Sequence, residues 1–254
     1  MSRWRAWIDH ALSALVAPPC VSCRGTIPRP LSGAVCDACW GRLARFTPPV
    51  CDACGVALPS WRRASLDLGR CARCRRRRSA ISRYAAVGPH TGVLRDVVHA
   101  LKYDARRSTV APLADLMRTA GSAVLDGAHL VVPVPLHRQR AWWRGFNQAA
   151  LLGDRLGLPL APLLTRTRHT PPQVSLPAAQ RHRNVRGAFR FRPRAARRAI
   201  HRVNAPIDRL VVVLVDDVCT TGATLEACAR VLRDAGVAEV RALTASRVVS
   251  EPPA

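Results

Sequence analysis

Lysine is all but missing from this chain of 254 residues: of its 40 basic residues only Lys102 is not an arginine. Beside abundant alanine and 20 prolines, that bias looks like the imprint of a GC-rich coding background, so the positive charge must be discounted before it is read as function. Aromatic residues make up only 5% of the chain, too few to expect a long base-stacking platform. No stretch approaches the roughly 18 consecutive apolar residues that span a bilayer, which excludes a transmembrane helix. Asp9 and His10 interrupt the apolar N-terminal segment, so it does not read as an export signal, and a soluble cytoplasmic protein is expected. Acidic residues number only 16, which leaves a net charge of +24. That sign suits polyanions: nucleic acid, nucleotide phosphates or an anionic membrane face. A hydrophobic fraction of 48% is too rich for disorder, and the length allows one or two domains with a full core.

Cysteine is where the sequence is rich. Eight of its ten cysteines fall before residue 75, in four identical spacings: Cys20 and Cys23, Cys36 and Cys39, Cys51 and Cys54, Cys71 and Cys74. Two thiolates three residues apart on a tight turn reach one tetrahedral metal, so two pairs saturate one structural zinc and four pairs saturate two. A secreted disulfide framework is the competing reading, but a disulfide within CxxC is usually redox-active rather than structural. Sequential sites, the first two pairs and then the last two, are expected, although the spacing alone also allows the middle pairs to interleave.

Ahead of the first pair, Trp4, Trp7, Ile8, Ala11, Leu12, Leu15 and Val16 recur at helical spacing and predict an amphipathic helix, stopped by Pro18 and Pro19, that either docks on the protein itself or lies on a membrane surface. After the last pair, Arg75, Arg76, Arg77 and Arg78 make a basic run that is either a solvated linker or a grip on phosphate backbone, including single-stranded DNA. A domain boundary is placed there, with an N-terminal helix and double zinc ribbon over 1–78 and an α/β domain over 79–254. In the second part, strands predicted over 82–88, 130–134, 210–215 and 239–245 alternate with helices over 93–101, 110–123, 148–156 and 223–234. That alternation argues for a parallel sheet with helices on both faces, and the nearly pure Val and Leu run at 210–215 for a central strand.

The chemistry concentrates in VVVLVDDVCTTGAT, residues 211–224. A buried strand runs into two acids, a turn of small residues and a helix. At the carboxyl end of a parallel strand, Asp216 and Asp217 suit vicinal sugar hydroxyls, while Thr220, Thr221, Gly222, Ala223 and Thr224 offer backbone N–H groups at a helix N-terminus to a phosphate. Gly222 lets the backbone approach the anion closely. Cys219 and Cys228 read as small packing residues.

Those residues resemble the 5-phosphoribosyl-1-diphosphate (PRPP) motif of type I phosphoribosyltransferases. With VVPVPLHRQRAWWRGFNQA (131–149), HALKYDAR (99–106), the dispersed Gln173, Arg181, Arg183 and Asn184, the string GAF at 187–189 and the cysteine pairs, nearly the whole chain from residue 20 to about 246 resembles the ComF family. That resemblance implies a phosphoribosyltransferase-like α/β fold behind a double zinc ribbon, and a link to natural competence or DNA uptake. It implies that a loop at 136–144 lies beside the diphosphate, where His137, Arg138, Arg140 and Arg144 suit its charge. The segment 165–184 corresponds to a mobile hood, in which Arg166, Arg168, Gln173, Arg181 and Arg183 close over the ligand. Lys102 is implied as a phosphate ligand, magnesium as the cation neutralising the diphosphate, and two zinc ions as structural. Purine-salvage relatives carry an acid where Thr220 stands, which counts against purine salvage, and no residue identifies the acceptor. Three roles follow: phosphoribosyl transfer to an unidentified acceptor; a non-catalytic protein that holds single-stranded DNA, works with DNA-uptake proteins and uses the PRPP site as a sensor; or a module that only docks partners.

Overall fold

In the computed structural model of the protein, the structure describes residues 19–27, 33–56, 58, 69–76, 79–168, 185 and 187–249. The predicted N-terminal helix, Arg77, Arg78, Gln173, Arg181 and Arg183 lie outside the described residues. Two short helices, α1 (Asp37–Gly41) and α2 (Ala72–Arg75), belong to the cysteine-rich part. The α/β part runs β1 (Tyr84–Pro89), α3 (Gly92–Tyr103), α4 (Val110–Ala120), α5 (Ser122–Leu125), β2 (Leu130–Pro133), α6 (Arg138–Arg144) and α7 (Gln148–Gly153). It continues through β3 (Leu164–Arg166), β4 (Phe189–Phe191), α8 (Pro193–Val203), β5 (Val211–Cys219), α9 (Ala223–Asp234) and β6 (Glu239–Arg247).

Four strands form a wholly parallel sheet in the order β1-β6-β5-β2, while β3 and β4 pair antiparallel as a separate ribbon. The reason β5 reads as an unbroken apolar run is its place between β6 and β2, with both faces covered. Val212 and Leu214 pack with residues of α8 and α9 on one face. Val213 and Val215 pack with α3, α4 and α7 on the other. All four are fully buried, and each such side chain contributes about 1.5–3 kcal/mol relative to exposure.

Three elements differ from expectation. The helix foreseen over 110–123 breaks at Gly121, where a Cβ would lie 2.7 Å from Leu243 and 2.8 Å from the Met117 carbonyl, so glycine is what lets the chain pass this close to β6. The central strand extends beyond 215 to Cys219, because Asp216, Val218 and Cys219 keep their register with Thr244, Ser246 and Arg247 of β6. The two acids therefore belong to the strand itself rather than to the turn after it. The segment at 136–144, expected as a loop, is mostly helix α6: His137 caps its start by accepting from the Gln139 N–H, and Gly145 at φ 69° closes it in the left-handed conformation.

The cysteine-rich part is packed onto the α/β part. Cys20, Ile27, Val35, Cys39 and Leu43 share one apolar cluster with Val87, Leu94 and Val97. The Phe46 N–H donates to the Val87 carbonyl at 2.9 Å, the Tyr84 N–H to the Asp52 carbonyl at 2.7 Å, and the Ser22 hydroxyl to Asp96 at 2.8 Å.

Candidate functional site

The eight cysteines gather into two tetrads, Cys20, Cys23, Cys36 and Cys39, and Cys51, Cys54, Cys71 and Cys74, with all sulfurs of a tetrad within 4.8 Å of one another. This is the sequential arrangement. A tetrahedral zinc with Zn–S bonds of about 2.3 Å holds its sulfurs about 3.8 Å apart. Cys23 and Cys36 stand at 3.7 Å, as do Cys54 and Cys71, and all eight thiols are free of disulfides. Backbone N–H groups already point at the sulfurs: Cys36 N–H donates to Cys20 at 3.4 Å and Cys71 N–H to Cys51 at 3.2 Å. Around Cys20, burial raises the thiol, but the N–H groups of Cys36, Cys23 and Ser22 outweigh it and lower the group to about 6. Thiolate is the form a metal takes, so the donor set fits two structural zinc ions.

The second site stands at the carboxyl edge of the parallel sheet. Strand alternation separates the two acids. Asp217 follows Val213 and Val215 to the α3 face, where its carboxylate is 2.8 Å from the Lys102 Nζ at the last turn of α3. Both partners are largely buried, at 9% and 20% side-chain exposure, so each charge depends on the other. Asp216 follows Val212 and Leu214 to the opposite face, where it feels Arg166 of the β3–β4 ribbon. Burial, and then the neighbouring Asp217 carboxylate, push Asp216 up to about 7, against the pull of Lys102.

Beyond the acids, the chain turns through Thr220 and Thr221 into α9. Gly222 stands at its N-cap with φ 80°, the left-handed region in which any side chain is strained. The Thr221 hydroxyl accepts from the Ala223 N–H at 3.4 Å, and the first helical bond runs from Glu226 N–H to the Gly222 carbonyl. The turn thus leads into the N-terminus of a helix of 12 residues, beside two acids. Gly222→Ala is expected to cost about 1–2 kcal/mol of stability through the left-handed backbone alone, readable as a shifted midpoint in urea.

Cations surround this edge. Arg144, at the end of α6, lies over the Tyr103 ring at 5.1 Å, which joins the segment after β2 to the end of α3. Arg140 and Arg166 are both held below their usual range by burial first, then by the like charges of Arg144 and Arg140 respectively. His137 is partly buried as the cap of α6, and its backbone bridges Arg166. Arg138 is exposed on the same helix. Lys102, Asp216, Asp217, Thr220, Thr221, Gly222, Ala223, Thr224, His137 and Arg144 thus come from three separate stretches of chain to one end of the sheet. Arg75 and Arg76 do not join them; they are exposed beside the second tetrad.

Other residues at this edge carry no sequence motif. The His90 Nδ1 shares a 2.8 Å hydrogen bond with the Ser246 hydroxyl, and that hydroxyl donates to the Asp217 carbonyl at 3.4 Å. Burial, followed by the Lys102 charge, lowers His90. A partial signal was present: Thr244 and Ser246 are polar side chains that alternate with Leu243 and Ala245 toward the carboxyl end of β6, and both are fully buried.

Residues 144–250 match the family described as the phosphoribosyl transferase domain, and residues 11–75 the family described as the double zinc ribbon domain. The chain is 34% identical over 236 residues to the DNA utilization protein YhgH of Salmonella typhi, a match covering 87% of this chain and 93% of that protein. It is 29% identical over 232 residues to Competence protein F of Haemophilus influenzae, with the same coverage, and 27% identical over 206 residues to Competence protein ComFC of Bacillus subtilis, covering 80% of each. Among the described residues no helix is long and apolar enough to cross a membrane.

Proposed function

Because the chain belongs to the ComF family, we propose that it binds PRPP at the carboxyl edge of its sheet and acts in the cytoplasm in DNA uptake, a role supported by the words competence and DNA utilization in its relatives' names. Residues 220–224 and the N-terminus of α9 take the 5-phosphate, Asp216 and Asp217 the ribose hydroxyls, and Lys102, His137, Arg138 and Arg144 the diphosphate. Gln173, Arg181 and Arg183 belong to the hood over the ligand. The observation that carries this reading is the buried Lys102–Asp217 pair standing beside Asp216 and the glycine turn. Two acids alone would repel a diphosphate; Lys102, Arg140, Arg144 and Arg166 reverse the sign of the local field.

Magnesium fits this donor set in one way. A hard cation takes oxygen ligands, and Asp216 and Asp217 are the carboxylates described at this edge, so most of its ligands come from the diphosphate and sugar. Held there, the ion would supply charge neutralisation to the departing pyrophosphate. The chain's own part in phosphoribosyl transfer is then to orient the sugar, to set cations against the developing negative charge and to exclude water.

Asp216 gives a pH signature. A group raised to about 7 from an ordinary value of 3.8 binds its proton more tightly in the folded chain. Its contribution to stability is therefore fully present below about 4 and is lost as pH rises through about 7. Ribose hydroxyls are accepted best by the ionised form, so PRPP affinity is expected to rise up to tenfold per pH unit below about 7 and level off above it. Isothermal titration between pH 5.5 and 8.5 checks this, and Asp216→Asn should flatten the profile.

A second reading, a non-catalytic protein that binds single-stranded DNA and uses the PRPP site as a sensor, is favoured by Trp142 and Trp143. They are 77% and 75% exposed beside Arg138 and Arg144, with ring centroids 5.6 Å apart. Pyrophosphate release with a supplied acceptor supports transfer. Salt-sensitive DNA binding that survives Asp217→Asn, without pyrophosphate release, supports the sensor.

A further inference from the structure

Arg247 closes the carboxyl end of β6, opposite Cys219, the residue from which the chain leaves β5 for the glycine turn. One Nη donates to the Cys219 sulfur at 3.2 Å, and the guanidinium lies over the Tyr84 ring at 5.2 Å. The Val248 N–H donates to the Cys219 carbonyl at 2.8 Å, so this residue is gripped through both sulfur and backbone. The same sulfur takes an N–H from Gly222 and would be 3.8 Å from a Cβ there. On its other side, Tyr84 is buried against the second tetrad. Gly55, next to Cys54, sits so close that a Cβ would be 2.8 Å from the Tyr84 ring, and the Tyr84 N–H bonds the Asp52 carbonyl. The Tyr84 hydroxyl is 2.5 Å from the Thr244 hydroxyl.

One guanidinium thus connects two places that the sequence separates by about 150 residues. Arg247 lies mostly out of water, and its Nε–H has no partner among the described residues. Burial opposes its charge, and its contacts with Cys219 and Tyr84 favour it. A zinc held by four thiolates carries a net charge of −2. Metal in the second tetrad fixes the turn at Gly55 against the Tyr84 ring on which the Arg247 guanidinium rests.

We propose that Arg247 is a positioning residue through which the second cysteine tetrad, once it holds zinc, fixes the shape of the turn at 219–224. Arg247 touches no proposed ligand; it acts through Cys219. The part of the proposal concerning ligand affinity rests on the PRPP reading above. The part concerning the turn does not.

The test uses the full chain loaded with two zinc ions and follows hydrogen exchange of the amides at 219–224, with those of β2 as the internal reference. Arg247→Met, which keeps both zincs, is expected to speed exchange in the turn at least tenfold while β2 is unchanged. Arg247→Lys, which restores a charge and a donor, should recover part of that protection. Cys54→Ser/Cys74→Ser should open the turn to the same degree, and adding Arg247→Met to it should add nothing. Titrated with PRPP and magnesium, Arg247→Met should bind at least tenfold more weakly. An unchanged turn in Arg247→Met overturns the proposal, as does additivity of its effect with loss of the second zinc. A turn that opens as expected in a protein that never binds PRPP leaves the coupling standing and removes the PRPP reading instead.

Discussion

Cys39→Ser is expected to lower the melting temperature of the whole chain by roughly 8–16 °C, not merely to loosen its N-terminal part. Cys39 and Cys20 are fully buried, and they lie in the same apolar cluster as Val87, Leu94, Leu113, Val213 and Val215. Structural zinc contributes an apparent ~10–16 kcal/mol in isolated finger peptides. Losing even ~4 kcal/mol of this, at roughly 2–4 °C per kcal/mol for a chain of this size, gives the stated range. The α3 face of the sheet would lose its cover along with the first tetrad, so the two parts should melt together. Scanning calorimetry with metal analysis decides: one cooperative transition moving down as one of two zincs is lost supports the account. An unshifted α/β transition would show that the ribbon and the sheet are energetically separate.

Lys102→Met should be the most damaging single change at the sheet edge. It leaves the Asp217 carboxylate, with only 9% of its side chain exposed, without its cation at 2.8 Å. Breaking such a pair from one side typically costs about 3–5 kcal/mol, because the remaining charge is both desolvated and unpaired. The sign of the double variant separates this cause from simple loss of packing. Lys102→Met/Asp217→Asn removes both charges and should recover most of the lost stability, while still failing to bind PRPP. Denaturant melts of the four proteins close the cycle. If the double variant is no more stable than Lys102→Met, the pair is not what holds these side chains.

The cysteine spacing was legible because a tetrahedral metal needs two close donors from each of two turns, and CxxC repeated four times satisfies that twice. The central strand was equally plain, since only a strand covered on both faces tolerates VVVLV. Less legible was where β5 ends. The parallel ladder to Thr244, Ser246 and Arg247 carries it four residues beyond Val215, and that pairing belongs to β6, not to the local sequence. Once the acids are inside the strand, alternation sends Asp217 to Lys102 and Asp216 toward Arg166. No spacing argument could pair a lysine and an aspartate 115 residues apart. Helix α6 was hidden for another reason: its cap, His137, is not among the usual capping residues, and its two tryptophans face solvent rather than a core. Arg247 was invisible among 39 arginines, in a composition where arginine marks nothing.

The most direct measurement is a calorimetric titration of PRPP with magnesium into the zinc-loaded protein, beside Asp216→Asn/Asp217→Asn. The account predicts saturable binding at one site per chain, at least 100-fold weaker in the double variant while both zincs and the fold are kept. No heat of binding from the folded wild type, or equal affinity in the two proteins, would contradict it.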